Sequence, residues 1–247
     1  MKLLVLGNAV VDLIYAIPHL PMPGETVLAA SKHIDVGGKG LNQAVAAMRA
    51  GAPTRLVAAV GDDRHGELIC AKLAAEGLAT DGLQVTALPT DESVVLPTPD
   101  GENVIISTAG AAALLSSDTA VAEIAALARE DLLLLQGNQT PALTRAAIVA
   151  ARRRGIRTMV NPSPVAFDYG DLLDMADIAI VNAGEAAKAI TDRINAFARR
   201  DGFLGNNPPK VTFNGFHAEG YVQEPGSEAE AILGRAHEAA TGSALQS

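Results

Sequence analysis

Short apolar runs, each closed by a glycine or a polar residue, alternate with helical patterns along this 247-residue chain and restrict what it can fold into. Residues 2–6, 55–60 and 131–136 are such runs, and 157–161 and 178–182 complete the parallel-strand candidates. Continuous apolar runs of this length mark strands buried on both faces. Strands separated by helices need right-handed crossovers, so the expected α/β fold is a three-layer αβα sandwich around a mostly parallel sheet. Helices are predicted over residues 65–76, with Gly77 as the stop, and over 118–129 behind a Ser-Ser start. A further helix begins at Thr140-Pro141, a cap followed by a first-turn proline, and ends at Gly155. Ligands of such a sheet gather at the carboxyl ends of its strands.

Two segments break the rhythm. Residues 15–35 and 84–107 carry short β-type runs, the second with a turn at Pro99-Asp100-Gly101. They are expected to form a small separate sheet, although two exposed hairpins are an equally fair reading of the residues alone. Beyond Asp201 the sequence FLGNNPPK is loop-like, and large apolar residues thin out after Val222. The expectation is one α/β domain over residues 1–247, with 211–247 an atypical C-terminal segment.

Composition removes several classes of function. Apolar residues make up 49% of the chain, enough to bury a core as one domain. The net charge of -9 leaves no basic stripe for a phosphate backbone, so nucleic acid is not an expected partner. The densest basic run, Arg152 to Arg154, falls at a predicted helix end, where cations suit the dipole. Cys70 is the only cysteine, which precludes an internal disulfide; a cytoplasmic setting and an inert core thiol are expected. The N-terminal MKLLVLGNAVVDLIY is broken by Asn8 and Asp12 and lacks a small-residue cleavage site, so it reads as a first buried strand. No apolar segment reaches spanning length, and no membrane partner is expected.

The stretch from Val36 to Gly61, VGGKGLNQAVAAMRAGAPTRLVAAVG, carries the chemistry. Gly37, Gly38 and Gly40 let backbone approach a ligand with no Cβ in the way. Asn42 adds an amide that both donates and accepts, which suits a polyhydroxylated molecule. Gly-Gly-x-Gly by itself marks many plain strand-to-helix turns. The complete set of spacings resembles the first signature of the ribokinase-like (phosphofructokinase B) family of carbohydrate kinases, with every fixed position met. The resemblance implies a cytoplasmic kinase that moves the γ-phosphate of ATP to a sugar hydroxyl with Mg²⁺. It places Asp12, Gly37, Gly38, Lys39 and Asn42 in the sugar site, whereas on its own Asp12 is as readily a turn cap. It also makes the small sheet a lid over the sugar and a surface for homodimer contacts.

The resemblance extends to about Thr212. Asn182 and Glu185 form an Asn-x-x-Glu where a strand enters a helix, a motif with which the family organises Mg²⁺ and phosphates, often through water. Magnesium keeps several waters and takes few carboxylates, in keeping with one glutamate; on spacing alone Glu185 is an ordinary helix-start residue. Asn161-Pro162-Ser163-Pro164 is similar to the family's loop facing the ligand cleft, and Val211-Thr212 to its nucleotide-side strand, which puts Thr212 near phosphate. Asn138 stands in the sugar site where ribose-specific members carry glutamate, and Val10 where they carry asparagine, so the particular sugar is left open. With no Trp and 3% aromatic residues, there is no obvious stacking platform for a nucleoside base.

Phosphoryl transfer to a hydroxyl needs a grip on the sugar, a cradle for the phosphates with Mg²⁺, and a base. The last is missing. The family's Gly-Ala-Gly-Asp, whose amides form an anion hole and whose aspartate is the base, has no match in this sequence. Thr241-Gly242-Ser243 falls near the expected place but puts Leu245 at the aspartate position. Glu224 to Glu230, EPGSEAE, keeps the acid-to-acid spacing without the last glycines, and otherwise reads as a capping box of Ser227 and Glu230. The C-terminal part is thus expected to be divergent or truncated, and the catalytic base is unassigned. A second reading is a catalytically impaired sugar- or nucleotide-binding remnant. A dinucleotide-binding oxidoreductase fits the αβ rhythm, but Gly7-Asn8-Ala9 stands where Gly-x-Gly-x-x-Gly is required.

Overall fold

Leu4 and Leu6 leave one face of the first strand, Val5 leaves the other, and all three are fully buried. The computed structural model describes residues 1–98, 103–164, 167, 169–182, 191, 194–195 and 198–200. It divides into two compact units, residues 1–185 and 186–247. The first holds both sheets. In the second, the Arg199 N–H donates to the Asn195 carbonyl (3.0 Å). The Pro99-Asp100-Gly101 turn, Glu185, Thr212, EPGSEAE and Thr241-Gly242-Ser243 lie outside the described residues.

In chain order the elements are β1 (Leu3–Leu6), β2 (Val10–Ala16), β3 (Ser31–Gly37), α1 (Lys39–Arg49), β4 (Thr54–Gly61), α2 (Arg64–Ala75) and β5 (Leu83–Thr86). There follow β6 (Glu92–Pro97), β7 (Asn103–Ser107), α3 (Gly110–Ala113), α4 (Ser117–Ala125), β8 (Leu132–Gln136), α5 (Pro141–Arg154), β9 (Arg157–Asn161), α6 (Gly170–Met175) and β10 (Ile178–Ala179). The main sheet runs β10-β9-β8-β1-β4-β5 and is parallel throughout. On one face Leu4, Leu6, Leu133 and Leu135 pack with Ile124, Leu143 and Ile148 of α4 and α5. On the other, Val5, Leu56 and Leu134 pack with Leu41 and Val45 of α1 and Ile69 and Leu73 of α2. This is the expected three-layer sandwich. From β1 the order runs outward through β4 and β5 on one side and through β8, β9 and β10 on the other. The reversal between β1 and β8 opens a crevice at their carboxyl ends.

The second sheet runs β3-β2-β6-β7, with β2 and β6 parallel and the outer pairs antiparallel. Its boundaries correct the expected ones. The first segment enters the small sheet at Val10, so Asp12 lies on a strand of that sheet and not behind a core strand. Gln84 belongs to β5 of the main sheet, where Ala58 and Gly61 of β4 pair with Leu83 and Thr86. The α4 helix ends at Ala125, four residues early, because Asp131 closes a turn: its Oδ2 accepts from the Ala128 N–H (2.9 Å), while its own N–H reaches the Ala128 carbonyl (3.1 Å). The β10 strand keeps only two residues, and Cys70 is partly exposed and not enclosed in the core. The α5 helix matches its predicted signals, with Thr140 as cap and Gly155 left-handed at the end (φ 68°).

Candidate functional site

The crevice is built by close backbone approach. A Cβ on Gly40 would lie 2.6–2.8 Å from the Gly7 Cα and from the Asn8 nitrogen and carbonyl oxygen, so the first turn of α1 seats directly on the end of β1. Asn8 fastens that seat. Its Oδ1 accepts from the Gly40 N–H (3.2 Å) and its carbonyl from the Leu41 N–H (3.0 Å), satisfying two donors that a helix start leaves open. Gly38, at φ 100°, makes the turn from β3 into α1 in a conformation closed to other residues. Lys39 and Asn42 follow on the exposed side of the first turn.

Asp12 reaches this turn from β2. A Cβ on Gly37 would collide with the Asp12 Oδ2, so the glycine makes room for the carboxylate. The register sets Asp12 opposite Asp35 on β3 and opposite Ser93 on β6. Burial raises the Asp12 pKa above the ordinary aspartate range, the Asp35 carboxylate adds to the rise, and a hydrogen bond from Ser93 opposes both.

A chain of amides ties the other strand ends to α1. Gln136, at the end of β8, donates from Nε2 to the Gln43 Oε1 (2.7 Å). Gln43 donates to the Asn161 Oδ1 at the end of β9 (3.3 Å), and Asn161 donates to the Ile180 carbonyl just past β10 (2.7 Å). The Gln136 Oε1 is left against Gly7, where a Cβ would stand, with no hydrogen-bond partner among the described residues. Gly137 leaves room for the Pro164 carbonyl and donates to the Ser163 carbonyl (3.1 Å), which stitches the loop after β8 to the Asn161–Pro164 loop. Asn138 sits in that first loop, and among the described residues its buried Oδ1 also has no partner, nor does either amide atom of buried Gln139.

The structure thus gathers Asp12, Gly37, Gly38, Lys39 and Asn42 around one turn and, through the Gln43–Gln136 bond, sets the Asn138 loop beside it. Asn182 is exposed two residues beyond Ile180, at the far edge of the sheet. Its intended companions Glu185 and Thr212 fall outside the described residues. Among the described residues no group of three or more His, Cys, Asp or Glu side chains could hold a metal ion. Sequence reasoning missed Asn8, Gln43, Gln136 and Ser93. Gln43 adjoins Asn42 within the signature and was open to reading; the pairing of Ser93 with Asp12 is a register that no local pattern carries.

The sequence matches the profile described as pfkB family carbohydrate kinase over residues 1–197. The chain belongs to this family. It is 32% identical over 185 residues to a ribokinase of Haemophilus influenzae, an alignment covering 74% of this chain and 60% of the relative. A crystal structure of ribokinase from Cryptococcus neoformans var. grubii in complex with ADP superposes with a TM-score of 0.66 at 32% identity, covering 76% of this chain and 60% of that one. Arabidopsis thaliana ribokinase complexed with ribose and ATP gives a TM-score of 0.64 at 28% identity, covering 76% and 62%. The pfkB chain thus spans about three fifths of the length of the curated relatives it matches. Among the described residues no helix is long and apolar enough to cross a membrane.

The raised pKa of Asp12 gives this pfkB site a pH signature. The folded state holds the Asp12 proton more tightly than the unfolded chain, so this stabilisation is full below the ordinary aspartate range and is lost as pH rises through the raised value. Urea unfolding from acid to neutral pH is expected to show the wild type losing stability relative to Asp12→Asn as pH rises. A difference that stays constant across the series contradicts the assignment.

Proposed function

We propose that this protein is an ATP-dependent carbohydrate kinase, transferring the γ-phosphate to a sugar hydroxyl in a cytoplasmic setting. Asp12, Gly37, Gly38, Lys39, Asn42 and Asn138 form its sugar site, while Asn182, Glu185 and Thr212 serve the phosphates, with Glu185 reaching Mg²⁺ through water. The observation that carries the reading is the half-buried Asp12 carboxylate, held high in pKa beside a glycine turn at the crevice of a parallel sheet. Such a carboxylate is short of hydrogen-bond donors, and a sugar's adjacent hydroxyls supply them. The ribokinases solved with ribose and ATP or with ADP support the substrate and nucleotide classes. Mg²⁺ would neutralise charge on the transferring phosphate when bound; Asn182 is the one described residue of its proposed site.

Asp12→Ala is expected to weaken sugar binding by about 1–3 kcal/mol, since hydrogen bonds to charged groups are among the stronger ones. Calorimetry with unchanged sugar affinity in a folded variant would count decisively against the site.

A second reading concerns turnover, and the missing Gly-Ala-Gly-Asp favours it. General-base assistance contributes about 10²–10⁴-fold and a preorganised anion-hole donor about 10²–10³-fold. These 247 residues are therefore expected to hold sugar with little or no ATP-dependent phosphorylation. Ordinary turnover in a coupled ADP-release assay, abolished by Glu230→Gln, would overturn this and make EPGSEAE the working base motif.

We also propose a homodimer through the small sheet. Among the described residues its outer strands β3 and β7 have free edges, and Ile34, Ile105 and Ile106 stand 46%, 60% and 64% exposed on it. Light scattering is expected to report a dimer at micromolar concentration; monomer alone refutes the assembly.

A further inference from the structure

One polar row crosses the whole small sheet. Asp35, Asp12, Ser93 and Ser107 are register partners from β3 through β2 and β6 to β7, so their side chains leave the same face. The neighbouring row on that face is His33, Ile14, Val95 and Ile105. The two serines lie Oγ to Oγ at 2.5 Å, and Ser93 stands directly opposite Asp12, whose carboxylate its hydroxyl favours. An ionised carboxylate only accepts, so the Ser93 proton goes to Asp12 and the Ser107 proton goes to Ser93. Ser107, the exposed end of the relay, therefore keeps free lone pairs on the face that holds Asp12. Strands repeat every ~4.8 Å, so the Ser107 backbone stands about 10 Å along the row from that of Asp12, and its hydroxyl comes in next to Ser93.

We propose that Ser93 and Ser107 are specificity-determining residues of the sugar site, accepting a hydrogen bond from a substrate hydroxyl beyond those held by Asp12. The site accordingly selects a sugar that keeps this hydroxyl over the analogue that lacks it. This inference rests on the sugar-site reading above.

The test is calorimetry on the full 247-residue chain. D-ribose, D-fructose and D-tagatose are titrated first, and then the singly deoxygenated analogues of the tightest binder. One analogue is expected to bind the wild type about tenfold more weakly than its parent, because a polar group left without its partner loses that much affinity. Ser107→Ala, an exposed change that does not threaten the core, should bring that one ratio to about one and leave the other ratios alone. Ser107→Thr, which restores the hydroxyl, should recover the discrimination. If Asp12→Ala weakens the parent sugar while Ser107→Ala and the double variant Ser93→Ala/Ser107→Ala keep every ratio, this inference falls and the sugar site stands. If the wild type binds none of the three sugars, the sugar-site reading falls and takes this inference with it.

Discussion

The carboxyl edge of the main sheet depends on one contact between two backbones, Gly7 at the end of β1 and Gly40 in the first turn of α1. With no side chain on either residue, the helix comes close enough for Asn8 to bond both the Gly40 and Leu41 amides. That distance fixes where the helix axis points, and with it the positions of Lys39, Asn42 and Gln43. A methyl group at Gly40 would meet only backbone, which cannot turn aside as a flexible side chain can. The glycines of the signature thus divide their work: Gly37 and Gly38 shape the approach of β3 to Asp12, whereas Gly40 holds the helix down.

The small sheet is anchored where its strands leave and rejoin the core. Asp91, buried at the start of β6, accepts from the Thr108 hydroxyl (3.0 Å) and from the Ala111 and Ala112 amides (3.3 and 2.8 Å). Thr90 is held by both Asp63 oxygens, and its hydroxyl accepts from the Gly61 N–H (2.9 Å). His65 of α2 brings its Nδ1 to 3.0 Å from a carboxylate oxygen of Glu92, the first residue of β6. Each crossing between the sheets is therefore defined by a short polar side chain bonded to main chain, a geometry that holds position without requiring a large core in the small sheet itself.

Much of this was legible from the residues. Leu3–Leu6 and the leucines of Leu132–Gln136 are continuous apolar runs because both faces of the main sheet are covered, and burial on both faces is what such runs report. Thr140-Pro141 and Gly155 bound α5 because capping chemistry is local. What stayed hidden was long-range. The assignment of Gln84 to the core sheet depends on pairing with β4, and the early end of α4 depends on the Asp131 side chain arriving from beyond the helix. Asp12 was legible as a site residue, yet its strand was misplaced, since a run from Leu3 to Tyr15 hides the turn at Gly7 where the chain changes sheets.

The amide chain from Gln136 to Ile180 has a forced polarity. A main-chain carbonyl only accepts, so Asn161 must turn its NH₂ toward Ile180 and its oxygen toward Gln43. Gln43 must then offer its NH₂ to Asn161 and its oxygen to Gln136. Gln136 has no choice but to spend its NH₂ on Gln43, which leaves an oxygen beside Gly7. No single amide in the series can be flipped alone without setting two donors or two acceptors face to face. The main-chain carbonyl at the outermost strand thereby dictates which atom is presented two strands away, where β1 and β8 part.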